Sequence, residues 1–463
     1  MMEIIKSQTL KQTILKFQWI IKAATDNNTG ALLLHTTSKL LLKKKKDNIN
    51  SFGDLRGISI MPAILMVLDK LSINFIKKQA NQFLNKTQHG GRKGYSTNSA
   101  KLGILFQSIK NKYTYSLCLD LSKAFDKVNR NILEQIIDKS FEPSTKEILK
   151  STLEIYKYIN IDINGEQIYP TRGVPQGSVY GPLLFEIYIN DILTTIQNNF
   201  NDVHIQCFVD DIFIMSNSKN SLEKAFEMAH KMIINKKMEL NIDKCEYLSA
   251  EEDDSFIDPI SKNIIPKKDK VKYLGQYINQ DGTVSDPLNA WACRTVGELL
   301  HNTTNHLSRR SRIKLYKTFI KAKFTHLIQL LAVSDKLEQS WKSIRKVIFK
   351  DIIQFSTIPK KSSALYGLSF YNIIIRPLIK IILSTTENDT KEYKTFLCEA
   401  AKKAFILWTT FEQHHGERTL NLIENVIKNS SIAPLKEWDK QIIIDASARL
   451  FRNCNIPDNI VNI

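Results

Sequence analysis

The segment Cys207-Phe208-Val209-Asp210-Asp211-Ile212-Phe213-Ile214-Met215 sets two adjacent aspartates inside an otherwise apolar or sulfur-bearing run. Apolar residues on both sides of a short polar break read as two strands of a hairpin with the acids at its tip. Two neighbouring anions in such surroundings repel each other and are costly unless cations neutralise them. A pair of Mg²⁺ ions held by strand-borne carboxylates would meet that need, activating a hydroxyl and clamping a phosphate. An Asp-Asp turn that merely caps a surface hairpin is the plainer alternative.

A second acidic strand end lies upstream. In Tyr115-Ser116-Leu117-Cys118-Leu119-Asp120-Leu121-Ser122-Lys123-Ala124-Phe125-Asp126 an apolar strand ends in Asp120, with a turn and helix to follow. Between the two acidic segments, Arg172-Gly173-Val174-Pro175-Gln176-Gly177-Ser178-Val179-Tyr180-Gly181-Pro182-Leu183-Leu184-Phe185 forms a Gly/Pro-punctuated loop entering an apolar helix. Glycine there lets backbone approach a ligand closely, and Gln176 presents both a donor and an acceptor. Further helices are expected over 62–85, 130–140, 181–198 and 221–238, with strands at 115–119 and 205–209. The chain beyond Pro287 reads as almost wholly helical.

Charge is segregated along the chain. Of the 463 residues, 1–115 carry a net charge of +14 and 294–350 a net charge of +10, which leaves −6 for the rest of a chain totalling +18. Two basic regions flanking a non-basic centre point to a polyanionic partner. The six cysteines are scattered without a C-x-x-C pair, which excludes a zinc knuckle and a disulfide scaffold. The longest apolar run, around Ile58 to Leu68, is too short to cross a bilayer, so no membrane partner is expected. The first 30 residues contain acids and no Arg, a poor match to an organellar presequence, and nucleus and mitochondrion both stay open as compartments.

Asp120, the Gly/Pro loop and Asp210-Asp211, in this order, resemble the palm of reverse transcriptases of the non-LTR (LINE-type) retrotransposon family. That family carries L-D-x-S-K-A-F-D, G-V-P-Q-G-S-x-x-G-P-L-L-F and F/Y-x-D-D blocks. Asp54-Leu55-Arg56-Gly57-Ile58-Ser59-Ile60 resembles its R-P-I-S-L block, and Gln88 to Thr97 its Q-x-G-F-R-x-x-x-S-T block. Leu240 to Cys245 resembles L-N-x-x-K-T, Tyr273-Leu274-Gly275 the primer grip, and Leu315 to Ile320 a thumb phrase. The departures lie in the fingers, where Gly57 stands for the usual Pro and Gly91 for the usual Phe. Both loosen the backbone and put nucleotide grip in question.

The resemblance implies an α+β right-hand polymerase with fingers, a palm of antiparallel sheet and helices, a helical thumb and a helical C-terminal extension. The expected divisions are an N-terminal helical extension at 1–29, fingers at 30–115, palm at 116–285, thumb at 286–356 and the extension at 357–463. The implied function is RNA-directed DNA synthesis from a primer 3′-hydroxyl with deoxynucleoside triphosphates, an RNA template and a DNA or RNA primer. The alternative is a reverse-transcriptase-like RNA-binding protein of a ribonucleoprotein or splicing complex that does not polymerise. By resemblance Asp120, Asp210 and Asp211 bind two Mg²⁺ ions, with Mn²⁺ as a substitute, and Lys244 donates a proton to the leaving pyrophosphate. Arg56, Arg92, Phe125, Gln176 and Gly177 are expected at the nucleotide, with the Phe125 ring excluding a 2′-hydroxyl. Lys43, Lys44, Lys45, Lys46, Arg309, Arg310 and Arg312 are expected on nucleic-acid backbone.

Overall fold

The computed structural model describes residues 37–42, 55–92, 95–159, 161–163, 166–251 and 254–280, with scattered positions between 308 and 404. In chain order the first elements are β1 (Thr37–Leu42), β2 (Leu55–Ile60), α1 (Ala63–Phe83), α2 (Thr97–Asn111) and β3 (Tyr115–Leu119). Then come α3 (Arg130–Ser140), α4 (Pro143–Tyr158), β4 (Ile161–Ile163), β5 (Glu166–Ile168) and α5 (Gly181–Asn199). The acidic hairpin is β6 (Val203–Phe208) and β7 (Asp211–Ser216), followed by α6 (Lys219–Asn235) and β8 (Glu246–Ser249). Five short strands complete the described part: β9 (Phe256–Ile257), β10 (Ile264–Ile265), β11 (Lys267–Lys268), β12 (Lys270–Tyr273) and β13 (Gln276–Asn279).

Local chemistry explains the helix starts. Pro62 immediately precedes α1, and its fixed φ suits a helix entry. Asn129 caps α3 by accepting from the N–H groups of Asn131 and Ile132, and Ser218 caps α6 by accepting from Ser221. These caps satisfy N–H groups that have no partner within the helix.

Contacts divide the chain into two units, Met1–Arg92 with Thr114–Lys268, and Lys93–Tyr113 with Asp269–Ile463. The first holds a five-stranded sheet in the order β11-β8-β3-β7-β6, antiparallel except for the β11–β8 pair. β3 lies at the centre between β7 and β8. Its Leu117 and Leu119, with Ile212 and Ile214 of β7, are fully buried. Helix α5 packs on β6, and α6 on β3, β6 and β7. Covering the sheet with helices explains why these strands read as continuous apolar runs rather than alternating ones.

In the second unit Ser96 and Ser99 form a reciprocal capping box at the start of α2. Phe106 of α2 packs its ring against Tyr393 and Phe396, and Lys110 pairs with Glu392. β12 and β13 make a tight hairpin in the same unit.

Candidate active site

Asp120 follows β3, and Asp211 opens β7. The two strands pair antiparallel with Leu119 opposite Ile212, so the next rung sets Asp120 opposite Asp211. Residues directly opposite on an antiparallel pair share one face. Asp210 sits beside them in the two-residue turn between Phe208 and Asp211. The sequence expectation of acids at a hairpin tip is met, and the register brings in the third carboxylate from 90 residues upstream.

The three carboxylates feel one another. Desolvation against the sheet, and then the charges of Asp210 and Asp120, push Asp211 up to about 6. Among the described residues no three His, Cys, Asp or Glu side chains converge closely enough to hold a metal ion as they stand. The donor set is nonetheless made of hard carboxylate oxygens, and their mutual repulsion is what a divalent cation relieves, so the residues fit Mg²⁺ or Mn²⁺.

Lys244 lies on a 3-10 turn over Ile242–Lys244. The turn is held against the end of β3 because the Asn241 N–H donates to the Asp120 carbonyl at 2.8 Å and the Ser122 N–H to the Glu239 carbonyl at 2.9 Å. The ammonium then stands 3.5 Å from an Asp120 carboxylate oxygen, with both side chains about two-fifths exposed. Solvent screening at that exposure makes the pair worth little for stability. Its consequence is positional, since it keeps a proton donor at the edge of the acidic cluster.

The Gly/Pro loop docks on the β1–β2 ribbon. The Ser59 N–H of β2 donates to the Gln176 carbonyl at 2.8 Å. Gly177 has φ +120, and a Cβ on it would lie 2.3 Å from the Ser59 carbonyl oxygen. Only glycine permits that approach. On the other side of the loop, the Gly173 N–H donates to the Val128 carbonyl and the Val174 N–H to the Phe125 carbonyl. Phe125 is half-buried and stacks on Phe185, with ring centroids 5.0 Å apart and planes inclined by 18°. One face of the ring is therefore core-facing, while the residue as a whole keeps part of its surface open.

Several features gave no sequence signal. Arg130 is buried, and its guanidinium donates to the carbonyls of Gly173, Tyr156 and Pro170. It forms part of the wall of a cavity of about 410 Å³ that Ser59, Asp126, Arg172 and Gln176 also line. Glu186 of α5 is fully buried, and neither carboxylate oxygen has a hydrogen-bond partner. Burial pushes it up to about 7 against the opposing charges of Arg92 and Lys77. A Cβ on Gly91 would lie 2.6 Å from this carboxylate. Gly91 also has φ +48, so a side chain there would meet both backbone strain and the Glu186 carboxylate.

Arg92, expected at the nucleotide, is bound within the chain. Its Nε donates to the Asn81 side chain at 3.3 Å, and its two terminal nitrogens to the carbonyls of Asn85, Gln88 and Asn81 at 2.8, 3.1 and 3.1 Å. The guanidinium serves the carbonyl-rich end of α1 and the segment after it. Of these, the Asn81 carbonyl is one that the helix end leaves without a partner. Tyr273 is buried, and Leu274 and Gly275 form the β12–β13 turn with φ +46 and +81, a primed hairpin turn inside the second unit. Lys43, Lys44, Lys45, Lys46, Arg309, Arg310, Arg312 and the Arg56 side chain lie outside the described residues.

The family described as "Reverse transcriptase (RNA-dependent DNA polymerase)" matches residues 42–278. Among curated proteins, the chain is 25% identical over 305 residues to the RNA-directed DNA polymerase from mobile element jockey of Drosophila melanogaster, covering 61% of this chain and 33% of that protein. It is 24% identical over 284 residues to the Retrovirus-related Pol polyprotein from type-1 retrotransposable element R2 of Nasonia vitripennis, covering 55% of this chain and 27% of that protein. The chain thus spans about a third or less of the length of these relatives. Among solved structures, telomerase from Candida albicans in complex with a fragment of telomeric RNA aligns with a TM-score of 0.47 and 13% identity, over 90% of this chain and 68% of that one.

Proposed function

Because the chain belongs to the reverse transcriptase (RNA-dependent DNA polymerase) family, we propose that it extends a primer 3′-hydroxyl with deoxynucleoside triphosphates on an RNA template. The observation that carries the reading is the register that sets Asp120 opposite Asp211, with Asp210 in the adjoining turn. Asp120, Asp210 and Asp211 would hold divalent cations, which supply charge neutralisation at the triphosphate and activation of the attacking hydroxyl.

The remaining roles fall to the chain's own side chains. Lys244, beside Asp120, is the proton donor to the pyrophosphate as it departs, a contribution typically of about 10²–10⁴-fold. Phe125 presents the open part of its ring to the sugar and leaves no room for a 2′-hydroxyl. The loop at Gln176 and Gly177, tied to β2 through Ser59, lines the nucleotide site. The basic residues of 1–115 and 294–350 bind template and primer phosphates. An RNA-binding role without polymerisation gains support from Arg92, whose guanidinium is engaged at the end of α1.

Primer extension on poly(rA)/oligo(dT) with Mg²⁺ or Mn²⁺ separates the two readings. The wild-type chain is expected to extend the primer, and the variant carrying Asp210→Asn with Asp211→Asn is expected to bind it without extension. Extension by the double variant sinks the polymerase reading.

A further inference from the structure

The turn that bears Asp210 and Asp211 is strained, and one buried side chain from outside the hairpin grips it. Val209 occupies the first position of the two-residue β6–β7 turn with φ +59, while Asp210 is not among the residues of positive φ. That pattern belongs to a II′ turn, whose first position favours glycine. A β-branched residue seldom adopts such a φ and does so only where its surroundings enforce it.

Gln88 supplies the enforcement. The segment Thr87–His89 runs alongside the end of β6, with the Cys207 N–H donating to the Thr87 carbonyl at 2.9 Å and the His89 N–H to the Cys207 carbonyl at 2.8 Å. From that backbone the fully buried Gln88 side chain reaches the turn. Its Oε1 accepts from the Val209 N–H at 2.9 Å, and its Nε2 donates to the Val209 carbonyl at 3.2 Å. The same Oε1 accepts from the Gly90 N–H at 2.9 Å, and Nε2 also reaches the Cys207 sulfur at 3.2 Å. Two N–H groups aimed at one atom identify it as the carbonyl oxygen, so the amide has one orientation that satisfies the network. Both polar groups of the strained residue are thus bound by one side chain that precedes it by 121 residues. Gly90 closes the space above, since a Cβ on it would lie 2.5 Å from the Val209 side chain.

The geometry points to Gln88 as a positioning residue that holds the Val209 backbone in its left-handed conformation and so fixes the placement of Asp210 and Asp211, the residues that would hold the divalent cations. The role rests on the polymerase reading for its consequence in catalysis, but not for its effect on cation binding. Gln88→Ala would take away the acceptor of the Val209 N–H and leave the Val209 carbonyl with the weak Cys207 thiol donor alone, let the valine relax toward negative φ and displace Asp210 and Asp211 with it.

The test uses the full chain bound to a chain-terminated primer–template, with Mn²⁺ affinity read by electron paramagnetic resonance and single-turnover incorporation read separately. Gln88→Ala is expected to weaken Mn²⁺ binding at least tenfold and to slow incorporation by about a hundredfold, the effect of a displacement of roughly 1 Å at a reacting centre. Primer–template affinity should not change. Combining Gln88→Ala with Val209→Gly should recover most of both losses, because glycine holds the positive φ without a clamp. Gln88→Met keeps the length of the side chain in the buried site but neither accepts from the Val209 N–H nor donates to its carbonyl, so it should show the loss of Mn²⁺ affinity without a cavity. Wild-type Mn²⁺ affinity in Gln88→Ala or Gln88→Met overturns the proposal. A loss that Val209→Gly does not recover, accompanied by weaker primer–template binding, overturns it too, because Gln88 would then be a general core residue. A wild-type chain that binds Mn²⁺ yet extends no primer defeats the polymerase reading alone.

Discussion

Gly177→Ala probes the junction between the β1–β2 ribbon and the Gly/Pro loop, and its cost follows from the structure. At φ +120 an L residue is strained, and the added methyl would lie 2.3 Å from the Ser59 carbonyl oxygen. Ordinary van der Waals contact begins about 1 Å farther out, and the neighbour is backbone, which cannot swing away as a side chain can. Either the alanine leaves its φ region, at about 1–3 kcal/mol, or the loop withdraws from β2. Withdrawal breaks the 2.8 Å bond from the Ser59 N–H to the Gln176 carbonyl, a net loss of about 0.5–1.5 kcal/mol. A stability loss of roughly 2–4 kcal/mol is expected, read as a shift of the urea midpoint at constant slope. A loop displaced by about 1 Å should also slow single-turnover nucleotide incorporation by up to about a hundredfold. Primer–template affinity, which the proposed function assigns to the basic residues of 1–115 and 294–350, should stay within twofold of wild type, roughly the scatter expected for distant sites. If Gly177→Ala unfolds at the wild-type urea midpoint and incorporates nucleotide at the wild-type rate, the junction does not hold the loop in place.

Phe125→Val removes the ring but leaves an apolar side chain over Phe185. It should admit ribonucleotides with a gain of roughly ten- to a hundredfold relative to deoxynucleotides, measured as the ratio of incorporation efficiencies; equal use of both sugars by the wild-type chain would show that no gate exists. Glu186→Gln reads the buried carboxylate. Its folded-state pKa of about 7 lies above its unfolded value, so the folded chain holds a proton that the unfolded chain has released between about pH 4 and 7. Wild-type stability should therefore fall as pH rises through that window and stay low above it. Glu186→Gln should be more stable than wild type at pH 8, by up to about 3 kcal/mol, and lose that advantage near pH 4. Denaturation at the two pH values checks it, and an equal difference at both would refute it.

Local chemistry alone determined a good part of this protein. Tyr115 to Leu119 is a strand because it is a short apolar run, and Ala63 to Phe83 is a helix because its apolar residues recur at helical spacing after a proline. Asp210 and Asp211 fall at a hairpin tip because a polar pair breaks two apolar runs, and Gly177 marks a tight approach because no other residue tolerates one. These features depend on neighbours within a few positions. Pairing Leu119 with Ile212 depends on which apolar faces of distant strands bury each other, and that decided that Asp120 stands opposite Asp211. The same long-range packing gave Gln88 its grip on Val209, left Glu186 without a partner beneath Gly91, and turned Arg92 toward the end of α1. A glutamine, a glutamate or an arginine carries no mark of its partner in the chain. Its role is set by the carbonyls and N–H groups that tertiary contact leaves within hydrogen-bond reach, since a buried polar group must find one of them or remain a cost to the fold.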